Sequence, residues 1–459
     1  MELAANMLSP SSKPMVVCRS ATSIEAYPPG GAYNREWINH AIAGRGQFTV
    51  DADRLQLAPH LERLISTRKG QALAEGDLEF FRVLHARTAI LLDGTGIVPP
   101  EESYSEWMAT MRFESINDGK SSKSGLSPLY FAVMAGRKDI VAALIERGAN
   151  LKAVPKINLP KYALRKGLNI LGAACSLTDD PELVQMLLMQ HGLDPRAEVE
   201  PMEGDHALGV SIAQSNCKVI QFLIQHDRTL LDLRQRNGTL PLAYAIGFGK
   251  LEALLLIKEH YPEALKESAQ EPAACWGNDY VAWALGNNAG NLEVLKICMD
   301  AGFSPNTTGP GFGRFVTIFR VCDFARRFSK LKLGFLTVCV YGSRTPAITT
   351  AAMAGNVAAI KLLLDHGADV NGLGHNPRKW TALHWASFAG HGDAVATLLG
   401  AGARADVKDS AGRTPADLAK RVGNNEIRQM LIGSALEARN SRETAPWSKG
   451  KATHQVAPE

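Results

Sequence analysis

Four histidines fall within 26 residues: His366, His375, His384 and His391. Imidazole nitrogen is a common ligand of zinc, and a structural zinc site takes four donors. The spacing alone therefore raises a metal centre. A second stretch, NDGKSSKSG at 117–125, contains Gly119-Lys120-Ser121, the residues that end a phosphate-cradling loop. Such a loop needs another glycine five residues earlier, and Glu114 stands there. The stretch reads as a flexible linker instead, and GPGFGR at 309–314 reads as a turn. No Gly-x-Ser-x-Gly elbow, His-Glu-x-x-His pair or kinase signature set occurs. No pair of acids is placed to act as general acid and base.

The totals exclude further classes. The net charge of +4 on 459 residues is too even to argue for nucleic acid. The seven cysteines, Cys18, Cys175, Cys217, Cys275, Cys298, Cys322 and Cys339, are scattered, odd in number and without a Cys-x-x-Cys pair. That is the usage of free thiols in a reducing compartment. The first residues, MELAANMLSPSSKP, lack the apolar core of a signal peptide. The longest uncharged run in the most apolar region, Leu333 to Ser343, is shorter than the ~18 residues of a membrane helix. The expectation is an intracellular, cytoplasmic protein that does not span a membrane.

The positions of the histidines follow from a larger order. Residues 381–403 read TALHWASFAGHGDAVATLLGAGA: a turn, a small-residue helix, a glycine, a leucine helix, then glycine again. The same order returns as TPADLAKRVGNNEIRQML at 414–431, TPAITTAAMAGNVAAIKLLLDHGAD at 345–369 and SPLYFAVMAGRKDIVAALIERGAN at 127–150. Weaker copies lie at 170–194, 206–226, 240–260 and 283–306. The helix-linking glycines Gly355, Gly390 and Gly423 are 35 and 33 residues apart, and Ser215 fills the slot 34 residues before Gly249. Proline at the first helical position costs nothing, because its missing N–H has no helical partner. Small residues such as Ala386 and Ser387 let two helices approach closely. One unit cannot cover its own apolar face, so neighbouring units must stack.

This motif and period closely resemble the ankyrin repeat, with about eight copies over residues 124–434. The resemblance implies an all-α solenoid of stacked helix-turn-helix units with short β-turn fingers. It implies that Thr381 and His384 hydrogen-bond within their turn. It also assigns His366, His384 and His391 to repeat slots, which removes the need for a metal; no metal or cofactor is expected. The expected organisation is a disordered N-terminus (1–35), a helical cap or small module with a half-copy at 72–88 (36–110), and a linker (111–123). Repeats then fill 124–309 and, most clearly, 342–434, with a disordered tail at 435–459.

Residues 310–341 do not fit the period. Between 310 and 345 the cations Arg314, Arg320, Arg326, Arg327, Lys330, Lys332 and Arg344 face one acid, Asp323. Two readings stand: a degenerate repeat with its cations in solvent, or a basic amphipathic insertion. The second would dock an acidic or calmodulin-like partner, or touch anionic lipid peripherally. The patch is short for nucleic acid.

The family resemblance implies a monomeric, non-enzymatic scaffold or adaptor. It would bind one or more proteins through a concave face and the turn tips. The positions that match the family's contact positions are Arg378, Trp380 and Arg413 in turns, with Phe388 and His391 on or beside the first helix. Trp and Arg often dominate interface energy. Trp380 and Phe388 have an alternative reading as packing between repeats.

Overall fold

The computed structural model describes residues 15–20, 23–27, 52–118, 124–159, 164–189, 191–200, 204–236, 238, 240–270, 274–275, 278–279, 281, 285, 292–307, 346–373 and 378–444. The fold is all-α, and the chain divides into two compact units. One is Met1–Ala245 with Lys250–Tyr261; the other is Ile246–Gly249 with Pro262–Glu459.

In the first unit, helices α1 (Ala52–Ala74), α2 (Leu78–Leu92) and α3 (Tyr104–Thr110) precede the first full repeat, α4 (Pro128–Met134) and α5 (Lys138–Glu146). Two more repeats follow: α6 (Ile170–Leu177) with α7 (Pro181–Met189), and α8 (Ala207–Gln214) with α9 (Cys217–His226). The small-residue helices α4, α6 and α8 pack side by side in an inner row. The leucine helices bury i, i+1, i+4 stripes, such as Ile140, Val141 and Leu144 of α5. Each such side chain contributes roughly 1.5–3 kcal/mol when buried.

The half-copy at 72–88 is placed differently from its sequence reading. Gly76 links α1 to α2 as the motif predicts, with φ +75°. But α2 packs on α4, so it takes an inner-row position rather than that of a second helix. Arg87 fixes this alignment. Fully buried in α2, its Nη1 donates to the carbonyls of Met134 (2.7 Å) and Leu177 (2.9 Å), the last residues of α4 and α6. Orphan carbonyls at helix C-termini need such donors.

The second unit contains α13 (Leu292–Asp300), then α14 (Ala347–Met353) with α15 (Val357–Asp365) and α16 (Ala382–Ala389) with α17 (Gly392–Gly400). It ends in α18 (Pro415–Arg421) with α19 (Asn425–Thr444). Helices α10 (Pro241–Gly247), α11 (Leu251–His260) and α12 (Pro262–Gln270) lie between α9 and α13 in chain order. The inner row is α14, α16, α18, and the outer row is α13, α15, α17, α19. Thr381 and Thr414 cap α16 and α18 through reciprocal capping boxes, which satisfy two orphan donors each. Gly390 closes α16 in the left-handed region at φ 84°.

Helix α13 packs directly on α15, although their first residues lie 65 positions apart. The finger bonds show the same adjacency. Asn371 Nδ2 donates to Gly402 O (3.3 Å), and its Oδ1 accepts from Arg404 N (2.8 Å). Asn306 repeats this pair of bonds with Gly367 O (2.9 Å) and Asp369 N (2.7 Å). The first pair spans 31 and 33 residues, the second 61 and 63. Residues 310–341 themselves lie outside the described residues.

Two end segments depart from expectation. Within 1–35, read as disordered, Met15–Ser20 and Ser23–Tyr27 pair as antiparallel strands. MVVCRS and SIEAY carry the β-branched and aromatic residues that favour strands, which the Ser, Pro and Gly count concealed. Likewise α19 runs to Thr444, into the stretch read as tail from 435. Ala435, Leu436, Glu437, Ala438 and Arg439 are all strong helix formers.

Candidate functional site

The turn before α16 places Arg378 and Trp380 beside the inner row of the second unit. Trp380 is 1% exposed. Its ring meets Trp385 edge-on at 4.7 Å between centroids and lies 5.3 Å from Phe388. Trp380, Trp385 and Leu418 form one buried cluster, and Met353 and Phe388 lie half-covered against it. The Arg378 guanidinium sits 5.1 Å from the Trp380 ring, within reach of a cation–π contact.

The polar edge of Trp380 is also spent inside the fold. Its Nε1 donates to Asp409 Oδ2 at 2.9 Å. Arg413 gives the same oxygen Nε and Nη2, at 2.9 and 2.7 Å. Asp409 Oδ1 accepts the backbone N–H groups of Ala411 (2.8 Å) and Arg413 (2.9 Å). Burial pushes this carboxyl up, but the bonds from Arg413, Trp380 and Ala411 outweigh it and hold Asp409 at about 2.

His384 and His391 are structural as well. His384 Nδ1 accepts from Thr381 N (3.2 Å) and bonds the Thr381 hydroxyl (2.9 Å). Its Nε2 then carries the proton toward Arg413 O, 3.3 Å away. This is the turn bond that the resemblance implied. Burial lowers the His384 pKa. His391 Nε2 bonds Met353 O at 3.1 Å, and its ring covers Gly355. His366 Nδ1 bonds Leu362 O at 2.8 Å; His375 lies outside the described residues. Among the described residues no group of three or more His, Cys, Asp or Glu converges as a metal site.

The five expected contact residues therefore separate. Trp380 is core, because the next finger, through Asp409, and the inner helices close over it. Arg413 is committed to Asp409, and His391 to the preceding repeat. Arg378 and Phe388 remain half-exposed. Sequence reading missed the residues aligned with Phe388. Met353, Phe388 and Arg421 each stand two positions before a linking glycine, Gly355, Gly390 and Gly423, so they form a row along the ends of α14, α16 and α18. Arg421 and its neighbour Val422 are exposed. The row was readable from the glycine register alone. The expected basic residues Arg320, Arg326, Arg327, Lys330 and Lys332 lie outside the described residues.

Comparison with known proteins agrees with this geometry. A family model described as ankyrin repeats (3 copies) matches residues 334–409, and one described as ankyrin repeat matches 124–155. Human cyclin-dependent kinase inhibitor 2A is 38% identical over 175 residues, 38% of this chain and 86% of that protein. The chain belongs to the ankyrin-repeat family. Other likenesses are partial. The mouse ankyrin repeat domain-containing protein 40 is 32% identical over 99 residues, 22% of this chain and 25% of that protein. The Arabidopsis thaliana E3 ubiquitin-protein ligase KEG is 23% identical over 327 residues. That match takes in 69% of this chain and 17% of the ligase. Ankyrin repeats are a protein-recognition architecture without chemistry of their own. Among the described residues no helix is long and apolar enough to cross a membrane.

Proposed function

We propose that this ankyrin-repeat chain is a non-enzymatic adaptor that holds a partner protein against the inner row and turn tips of residues 342–434. The observation that carries the reading is the row Met353, Phe388 and Arg421. Met353 and Phe388 leave apolar surface half-covered above the rigid Trp380, Trp385 and Leu418 cluster. Arg378, stacked over Trp380, borders them with a cation. A pre-ordered apolar strip with an Arg rim is the composition of an interface centre, because little entropy remains to be lost on binding.

The test is a photo-crosslinking residue placed at Phe388, with the same residue at Ala396, exposed on α17, as control. A discrete adduct from position 388, absent at 396 and lost when Arg378 is changed to Glu, supports the reading. The same adducts at both positions would end it.

A further inference from the structure

The connection from α2 to α3 contains the run Ile-Val-Pro-Pro-Glu-Glu at 97–102. It belongs to no helix, strand or turn. Proline fixes its own φ near about −65° and pushes the residue before it into the extended region. Val98 precedes Pro99, and Pro99 precedes Pro100, so the sequence itself dictates a polyproline II segment. Such a helix has about three residues per turn, and exposure follows that period. Val98 and Glu101 are exposed, whereas Pro99 and Glu102 are half-buried. Val98, at 85%, is the most exposed large apolar side chain among the described residues.

The segment is tied down at both ends. Ile97 N donates to the hydroxyl of buried Thr95 (3.3 Å), and that hydroxyl donates to Leu92 O at the end of α2. At the other end Glu102 Oε2 accepts from His85 Nε2 of α2 (2.9 Å), and its Oε1 accepts the Thr110 hydroxyl of α3 (2.8 Å). Arg137, just before α5, donates Nη2 to Glu102 O (2.6 Å). Glu102 is therefore the inward anchor.

The middle of the segment is unengaged. Val98, Pro99, Pro100 and Glu101 make no hydrogen bond or ion pair with another described residue. Glu101 reaches Arg137 only through its charge, because that guanidinium bonds Asp139 and Glu102 O instead. With Pro99 and Glu102 turned toward the fold, Val98, Pro100 and Glu101 are the side chains left to solvent.

We infer that Val98–Glu101 is a second docking element, presented to a polyproline-reading protein domain. An aromatic-lined groove of that domain would clasp Val98 and Pro100, and a cation at its rim would meet Glu101. Aromatic grooves read this backbone form because it is preformed and loses little entropy on binding. Here the ties at Thr95 and Glu102 hold it in place before any partner arrives. A lone valine offers a bilayer little apolar area to bury, and Glu101 repels the phosphates of nucleic acid. The segment lies wholly in the first unit and does not depend on the proposed role of Met353, Phe388 and Arg421.

The experiment titrates the full chain against a panel of purified proline-binding domains with aromatic grooves, WW domains among them. The expected result is saturable binding by at least one domain, competed by a synthetic peptide of residues 95–103. The peptide should bind more weakly than the full chain, since it lacks the ties. Val98→Ser with Pro100→Ala should lower affinity by about tenfold or more, with a melt close to that of the parent because both side chains are exposed. Glu101→Lys should also weaken binding and flatten its salt dependence. Arg378→Glu with Phe388→Ala should leave it intact. Binding by no domain of the panel, or binding unaffected by the Val98/Pro100 variant, overturns the inference. So does self-association of the chain that requires Val98 and excludes the domains, which would make a second copy the occupant.

Discussion

Trp380 Nε1 donates to Asp409 Oδ2 at 2.9 Å, a side-chain bond across 29 residues that ties one finger to the next. Both side chains are buried, so the pair is part of the stacking interface. Replacing Trp380 with Ala removes a large buried ring and should cost about 3–5 kcal/mol. Trp380→Phe keeps most of the apolar volume but leaves Asp409 short of a donor, at a cost of about 1–3 kcal/mol. Urea unfolding of both variants checks the order. A Trp380→Ala protein as stable as the parent would refute the placement.

The same carboxylate sets an acid limit. Asp409 ionises at about 2 in the fold against an ordinary 3.8. Its folded pKa is depressed, so its contribution is complete above the unfolded value and is lost as the pH falls from there through about 2. His384, lowered by burial, acts in the same direction at higher pH, since the unfolded imidazole binds its proton first. Melting temperature should fall on acidification below the ordinary histidine range and again below pH ~4. In Asp409→Asn the second fall should flatten, while stability at neutral pH drops.

Ser215 closes α8 at φ 59°, ψ 36°, in the slot that Gly136, Gly249, Gly355 and Gly390 fill in other repeats. A side chain there costs roughly 1–2 kcal/mol. Ser215→Gly should therefore stabilise the first unit by about 1 kcal/mol. Denaturant midpoints compare the two proteins directly, and a lower midpoint for Ser215→Gly contradicts the assignment.

Gly355 faces two constraints. Its φ is +68°, and an added β-carbon would stand 2.7 Å from the His391 ring. Gly355→Ala should destabilise by about 2 kcal/mol or more. In a His391→Ala background the clash disappears and only the backbone strain remains. The double-mutant cycle should show the glycine change costing less there, by at least ~0.5 kcal/mol. Strict additivity would mean that His391 does not pack on Gly355.

Binding should separate from folding at the half-exposed residues. Arg378→Glu with Phe388→Ala alters the proposed surface while leaving Trp380, Asp409 and His384 in place. Affinity for a protein crosslinked from position 388 should drop by about tenfold or more, with a melt close to that of the parent. The two readings are taken on one preparation, so a collapsed melt exposes a folding defect.

Much of the fold could be read before any coordinates, because its determinants are local. Thr414-Pro415, the glycine register and the i, i+1, i+4 stripes each act within a few residues, and they became a cap, turns and buried faces. The site was less legible because its determinants are distant. Trp380 looks like a projecting turn residue until Asp409, 29 positions on, and Phe388 close over it. Arg413 looks like a contact until the same Asp409 takes its guanidinium. Arg87 gave no signal at all, since its acceptors are backbone carbonyls of two other repeats.

The contact of α13 with α15 makes the junction after Thr307 a permissive splice point. The two helices meet directly, and the Asn306 bonds join their fingers. Lengthening a connection costs only about 0.6 kcal/mol for each doubling, so an insertion just after Thr307 should leave that register in place. A foreign domain grafted at this position would ride on the array as cargo, and the repeats would keep their mutual fit.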